Sequence, residues 1–298
     1  MTTNELLTIA RDQYLFDSGM PQKWSDSYLT FLLGEAEREA CRRAGLILDR
    51  TTQTAGNIAS GVTTSAVTDK LVDSGATFVS AMVGMTVYNG ADNTWAVIMA
   101  LDSGTTLSLS ADIMDTGEAY TIGDASKAIA RICVKAGTMV YPLSSKIIKI
   151  DRCYLESRGR QYPLTQKLEV RSNEEGTPIW YTEGKGVLIL FPKPDASINQ
   201  STGGDMLNLE VYRLPLVDLT MQVSSAPEIP EEYHFDLLHY VCAMAFMKQD
   251  DQTIDPAKSQ WHEAQFERKF GPKKSAKIET LLRGMPSNFT LEPRSFGI

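Results

Sequence analysis

The sequence has few cysteines and no long apolar run. Its four cysteines are far apart and form no CxxC pair, so neither a disulfide framework nor a structural zinc site is expected. No apolar run reaches the roughly 18 residues of a membrane span. The N-terminal residues carry early acids and lack the apolar stretch of a signal peptide. We therefore expect a protein made and kept in a cytoplasm, without a membrane segment.

Signatures of catalysis and of metal binding are also missing. The sequence contains no GxxxxGK[ST], GxGxxG, GxSxG or HExxH pattern. The three histidines are His234, His239 and His262, and we predict that they are packing or surface residues. The aspartates near the turns do not have the spacing of an EF-hand loop. These absences favour a protein that is not an enzyme and that holds no cofactor and no metal.

The acidic residues are concentrated in one part of the chain. The 298 residues suffice for about two domains, and a net charge of −8 argues against general nucleic-acid binding. Residues 52–124 contain eight acids and one base, whereas the rest of the chain has 29 acids and 28 bases. A compositional break of this kind predicts an inserted module.

Helical periodicity is found near both ends of the chain. Residues 5–16 place apolar side chains at helical spacing, and a second helix is predicted between Ser25, an expected N-cap, and Gly45. Near the C-terminus, Pro230 and Asp255-Pro256 have the residue types of helix starts. We interpret the charged residues of the second helix either as a solvated face or as a contact between neighbouring subunits. The candidates for that contact are Arg38, Arg42 and Arg43.

Short runs of β-forming residues separated by turn residues predict two β regions between these helices. In the first, the spacing favours a small all-β barrel or sandwich. Its strands are predicted at residues 66–72, 85–88, 95–101, 106–109 and 119–122. In the second, strands are predicted at residues 129–134, 145–155, 161–163, 180–183, 187–191 and 206–214, with a short helix at 164–172.

Together these patterns predict an α+β fold. It combines a helical bundle from the N- and C-terminal helices, a central β-rich region, and an inserted small all-β domain, either a barrel or a sandwich. The predicted segments are 1–50 (N-terminal helices), 51–125 (inserted module), 126–228 (β-rich part of the scaffold), 229–271 (C-terminal helices) and 272–298 (extended tail).

A series of short motifs then carries a family resemblance. In chain order they are LGEAEREACRR at 33–43, YPL at 141–143, GTP at 176–178, LFPKP at 190–194 and PEIPEEYH at 227–234. Over about residues 20–50 and 126–270 this order resembles the head–tail connector proteins (portal adaptor or neck proteins) of tailed bacteriophages. Residues 71–78, 83–89 and 107–113 are similar to a small β module of many phage structural proteins, which the plain adaptor pattern lacks.

The resemblance implies a structural subunit of a homo-oligomeric ring, commonly with twelve copies. Such a ring joins the portal protein to a tail nozzle, a tube or the next neck protein. Genomic DNA passes through its channel during ejection without specific binding. The implied location is the neck of the virion. A different hypothesis is a virion surface or tail-fibre-like protein whose β insert recognises a host glycan or receptor, with Trp95 as a stacking surface.

The C-terminal segment is basic and rich in proline. In adaptors of the resembled family this tail often reaches onto the portal, so one interpretation is docking to an acidic portal rim. The other is a solvated, frayed terminus. The residues predicted to dock are Lys273, Lys274, Lys277, Arg283, Phe289, Arg294 and Phe296.

Overall fold

The structure is a computed structural model, and its chain divides into two compact units. The helical unit consists of Met1–Leu48 and Tyr212–Ile278, and the β unit consists of Asp49–Val211. The residues that the structure describes are 1–19, 21–50, 58–83, 85–92, 94–123, 129–134, 137–157, 160–167, 174–184, 186–195, 205–222, 224–248, 254–275 and 277–278.

Helices from both ends of the chain share the core of the helical unit. They are α1 (Thr3–Ile9), a π-helix (Ala10–Leu15), α2 (Asp26–Ala44), a 3-10 turn (Glu231–Tyr233), α3 (His234–Phe246) and α4 (Pro256–Phe270). Helix α3 packs against α1, α2 and α4, and its apolar residues are buried over much of its circumference. In the described residues, no helix has the length and apolar character needed to cross a membrane.

Local chemistry explains where the helices begin and end. The Ser25 side chain accepts a hydrogen bond from the backbone N–H of Tyr28, and Gly45 ends α2 in the left-handed conformation with φ 61°. The Asp255 side chain caps α4 at its start, and the cap at its end is Gly271. These positions confirm the predicted helix boundaries. The helix predicted at residues 5–16 is also present, but its second half is the π-helix, and Phe16 follows in the left-handed region with φ 50°.

Seventeen strands are found in the described residues. They are β1 (Leu48–Asp49), β2 (Ala59–Val62), β3 (Ser65–Val67), β4 (Lys70–Val72), β5 (Thr86–Asn89), β6 (Trp95–Ser103), β7 (Thr106–Leu109), β8 (Ala119–Gly123), β9 (Arg131–Cys133), β10 (Val140–Pro142), β11 (Ile147–Ser157), β12 (Arg160–Gln166), β13 (Glu175–Gly176), β14 (Trp180–Gly184), β15 (Val187–Phe191), β16 (Lys193–Pro194) and β17 (Met206–Arg213).

A seven-stranded antiparallel sheet is formed by residues 59–123, which we call the β module. Its strand order is β2-β8-β5-β6-β7-β4-β3, and side chains such as Leu71, Ile98 and Ile122 form its core. The single strand predicted at residues 66–72 is wrong. These residues form most of the hairpin β3–β4, because Asp69 adopts a left-handed conformation with φ 56° and reverses the chain.

The remaining large sheet has eight strands in the order β1-β17-β11-β12-β14-β15-β10, with β9 also paired to β17. The helix predicted at residues 164–172 is wrong where the structure describes it. In β12, Leu164 pairs with Cys153 of β11, and Thr165 pairs with Trp180 of β14. Pairing on both sides outweighs the local preference for a helix. Residues 168–172 of that prediction lie outside the described residues. The α+β class itself is confirmed.

Candidate docking surface of the helical unit

One face of α2 stays outside the core. Phe31, Glu35, Arg38 and Arg42 follow one another at intervals of four, three and four residues, which places them on one line along the helix. Phe31 is 59% exposed although it is a large apolar residue. The ring of Phe31 is therefore available for contacts beyond the subunit.

A loop runs beside this face and is fixed to α2 by side chains. We call residues 214–222 and 224–229 the strap. Arg38 forms ion pairs with Asp218 of the strap and with Glu35 of its own helix. The Thr30 hydroxyl donates to the sulfur of Met221 at 2.8 Å. The strap is therefore held along α2 between Thr30 and Arg38.

The far end of the strap is anchored by two carboxylates. One oxygen of the buried Glu37 accepts the backbone N–H groups of Glu228 and Ile229, at 2.5 and 3.2 Å. Burial raises the pKa of Glu37 to about 7, although these two hydrogen bonds favour the charged form. Glu228 in turn accepts from the backbone N–H of Leu216 at 2.6 Å and from Arg213 at 2.7 Å. The strap is thus closed on itself and on the helix.

The strap presents apolar side chains to solvent. Val217 is 70% exposed and Met221 is 42% exposed. We call the exposed side chains of Phe31, on α2, and of Val217 and Met221, on the strap bound to it, the apolar patch. Single exposed apolar residues are ordinary on protein surfaces, but three of them on one helix and on the strap bound to it make this face a candidate interaction site.

Basic side chains gather at the other end of α2. The ammonium group of Lys274 donates to the carbonyl oxygens of Arg42 and Arg43, at 3.3 and 2.8 Å. These carbonyls lie at the negative end of the helix dipole, which favours a cation there. Lys273 and Lys277 are exposed nearby in the chain. We call Arg42, Lys273, Lys274 and Lys277 the basic end.

Arg43 has a different environment from its neighbour Arg42. Its buried guanidinium donates to Glu39 at 2.9 Å and to the carbonyl oxygen of Gly271 at 3.1 Å. It also lies over the ring of Phe266, 5.0 Å from the centroid. Arg42 has a half-exposed side chain and a longer contact of 3.4 Å to Glu39. Of the two, only Arg42 reaches the surface.

The predicted site residues therefore have three kinds of position. Arg38 and Arg43 are engaged inside their own subunit, and Arg42 lies with the lysines of the basic end. Four predicted residues of the tail lie outside the described residues; they are Arg283, Phe289, Arg294 and Phe296. The apolar patch was missed. Phe31 had a detectable signal, since it is a large apolar residue on the polar side of the predicted helix, whereas the strap has no periodic pattern.

A second cluster of functional groups joins α3 to α4. The Nδ1 atoms of His239 and His262 are 3.0 Å apart, and Tyr14 of the π-helix packs edge-on against both rings. Burial lowers the pKa of both histidines, that of His262 to about 4. Among the described residues, no group of three or more His, Cys, Asp or Glu side chains is arranged to hold a metal ion.

The β module does not offer the stacking surface that the sequence predicted. Trp95 is only 2% exposed, and it packs with Tyr88 and Met206 inside the β unit. The prediction that Trp95 stacks on a glycan is therefore wrong. Its ring fills a core instead, as large aromatic side chains commonly do.

The fold and this surface together define a class of protein. An α+β chain that gathers an apolar patch and a basic end on one helical unit has the features of a structural assembly protein. The comparisons are more specific. Residues 1–281 match the SU10 adaptor protein family, and the chain belongs to that family. It is thus a phage structural adaptor. No curated protein matches the chain.

Proposed function

We propose that the protein is the subunit of an adaptor ring that joins the phage portal to the tail and leaves a channel for DNA. The observation that carries the proposal is the exposed face of α2 with its apolar patch and basic end. Membership of the adaptor family supports it. Closed rings form when one surface of a subunit meets a different surface of the next.

The function is assembly rather than chemistry. Copies of the chain, about twelve by the pattern of head–tail connectors, bury apolar and charged surface against one another, and the completed ring binds the portal on one side and a tail protein on the other. The net charge of −8 is compatible with a channel that DNA passes without tight binding. The protein then acts in the neck of the virion during genome ejection.

The C-terminal tail is the proposed portal contact. Lys274 is engaged with the end of α2, whereas Lys273 and Lys277 are exposed where the tail begins. Beyond these lysines, Arg283 and Arg294 would meet an acidic portal rim, and Phe289 and Phe296 would add apolar anchors.

A truncation tests this contact. Deleting Arg283–Ile298 removes none of the contacts described for either unit, so the circular dichroism spectrum and the melting temperature should stay unchanged. Binding to purified portal, measured by co-sedimentation, should be lost. Full-length chain carrying Arg152→Ala, a change at an exposed arginine of the β unit, is the control and should bind normally. Wild-type-like binding of the truncated chain would contradict the proposed docking role.

The alternative function, glycan or receptor recognition by the β module, is not favoured by a specific observation. Its proposed aromatic contact, Trp95, is buried. We propose instead that the β module is a spacer or stiffening part of the ring. Screening the full-length chain on a glycan array separates the two: specific binding would favour recognition, and no binding would favour the spacer.

A further inference from the structure

The exposed face of α2 has opposite charge at its two ends. Beside the apolar patch, two carboxylates, Glu35 and the largely exposed Asp218, share the single guanidinium of Arg38. The patch end is therefore acidic. From Phe31 to Arg42 the helix rises about 16 Å, at roughly 1.5 Å per residue.

At the basic end the balance is reversed. Glu39 is the carboxylate that pairs with both Arg42 and Arg43, and one acid cannot neutralise two guanidinium groups. Lys273, Lys274 and Lys277 add further positive charge. The negative end of the helix dipole offsets only about half a charge. The two ends of this face thus carry charges of opposite sign.

This polarity excludes contacts between like surfaces. Two apolar patches that met across a two-fold axis would bring Asp218 and Glu35 of one copy against the same residues of the other. Two basic ends would repel each other in the same way. Like charges placed together at an interface oppose association. A contact between a patch and a basic end avoids this repulsion.

The patch and the basic end also fit each other chemically. The exposed ring of Phe31 can accept the guanidinium of an arginine such as Arg42 on its face. Glu35 and Asp218 can accept from lysine ammonium groups. The aliphatic stems of those lysines can cover Val217 and Met221 while their charges stay at the rim.

We infer that the apolar patch of one copy binds the basic end of a second copy, in a head-to-tail contact. The inference rests on the proposed function and assigns the surfaces through which the ring closes. Because the two surfaces differ, the contact can repeat from copy to copy and produce a ring, whereas reciprocal pairing of the same two surfaces across a two-fold axis would stop at a dimer and would contradict the inference.

Charge reversal tests the inference. The patch variant is Asp218→Lys, and the end variant combines Lys273→Glu with Lys277→Glu; all three positions are exposed. Each variant alone should raise the midpoint concentration of self-association at least tenfold in sedimentation velocity, because like charges then face each other. A one-to-one mixture of the two variants should assemble again, and so should one chain carrying all three substitutions. Met99→Ser, at an exposed apolar residue of the β module, should behave as wild type.

A cross-linking experiment gives an independent readout. Oxidation of a chain carrying both Val217→Cys and Lys273→Cys should give a ladder of dimers, trimers and larger species. Each single cysteine variant should give no ladder. Efficient dimer formation by Val217→Cys alone would show that patch meets patch and would overturn the inference.

The failure of this inference differs from failure of the proposed function. If rings form with the portal but neither charge reversal nor the cysteine pair affects them, the ring stands and the assigned surfaces are wrong. If the wild-type chain stays monomeric with and without portal, both proposals fail. Circular dichroism of every variant confirms that weaker association does not come from unfolding.

Discussion

The helical unit and the β module bury polar groups of different kinds. In the helical unit, the buried Arg11 donates to Asp17 at 2.6 Å, to the carbonyl oxygen of Trp24 at 2.7 Å and to Asp26 at 2.5 Å. This cation joins the π-helix to the start of α2. Removal of one partner of such a buried pair leaves an uncompensated charge.

The β module buries neutral hydrogen-bond donors where the helical unit buries a cation. The fully buried amide of Asn89 donates to the carbonyl oxygen of Ile113 and to Glu118, each at 2.7 Å. Asp73 is buried beside the hydroxyl of Tyr120, which donates to it at 2.7 Å. The helical unit, which carries the proposed docking surface, is thus held together by a buried cation. The β module instead satisfies its buried acceptors with neutral donors from one stretch of sequence.

The largest expected effect comes from the buried cation. Arg11→Met should lower the free energy of unfolding of the helical unit by about 3–5 kcal/mol, because Asp17 stays buried without its partner. Urea unfolding followed by hydrogen exchange, which resolves the two units, measures it. Arg152→Ala in the β unit, where the arginine is exposed and its ion pairs are 3.9 Å long, should leave the free energy of unfolding essentially unchanged. Equal effects of the two substitutions would remove the contrast between the units.

The second largest effect on stability is expected from overpacking the core of the β module. A Cβ atom at Gly61 would lie 2.4 Å from Asp73 Oδ2 and 2.7 Å from the Tyr120 hydroxyl, so Gly61→Ala must displace this buried pair. We expect a loss of about 1–3 kcal/mol, the usual range for overpacking. Gly104→Ala is the matched control, because nothing lies within 4 Å of its Cβ position. If both variants melt at the wild-type temperature, the module is not as tightly packed as described.

Acid should weaken the helical unit through its histidine pair. Since burial lowers the folded-state pKa of His262 to about 4, its contribution is complete above the ordinary value near 6.5 and is lost as the pH falls from there toward 4. We expect the free energy of unfolding to fall by about 1–2 kcal/mol over this range, a value that already allows for solvent screening at the half-buried His239. Glu37, with a raised pKa, acts in the opposite direction.

The measurement is therefore a difference between two proteins. His262→Phe keeps a ring beside Phe246 and removes the titrating group. The wild type should lose stability relative to this variant between pH 6.5 and 4. A constant difference over that range would show that the pair does not titrate as described.

The smallest expected effect has the opposite sign. Phe16 is 77% exposed and has a left-handed conformation, which costs a bulky residue about 1 kcal/mol. Phe16→Gly should therefore raise the melting temperature slightly. Asp69→Gly in the β module should change it less, because aspartate tolerates this conformation. A loss of stability in Phe16→Gly would mean that the ring makes a favourable contact within the subunit.

The sequence predicts most of what is local in this fold. Ser25, Gly45 and Asp255 are read correctly as helix ends because capping depends on one or two neighbouring turns. The strand at Leu164 is missed because it depends on strand partners in space, and the hairpin is missed because Asp69 reverses the chain where no glycine or proline marks a turn.

The candidate site is predictable only in part, because it is built from contacts between residues that are far apart in the sequence. The arginines of α2 stand out as a charged run, but their separate roles do not. Arg38 meets Asp218, 180 residues away, and Arg43 meets Gly271, 228 residues away. Nothing in a local pattern distinguishes them from the surface residue Arg42. The strap and its apolar patch arise from these distant contacts, so the sequence alone does not predict them.

Hydrogen exchange of the free chain and of the chain assembled with its portal tests the central claim most directly. The account predicts that assembly protects the backbone of the strap and both ends of α2, while the β module exchanges as it does in the free chain. Protection confined to the β module, with α2 and the strap unchanged, would contradict it.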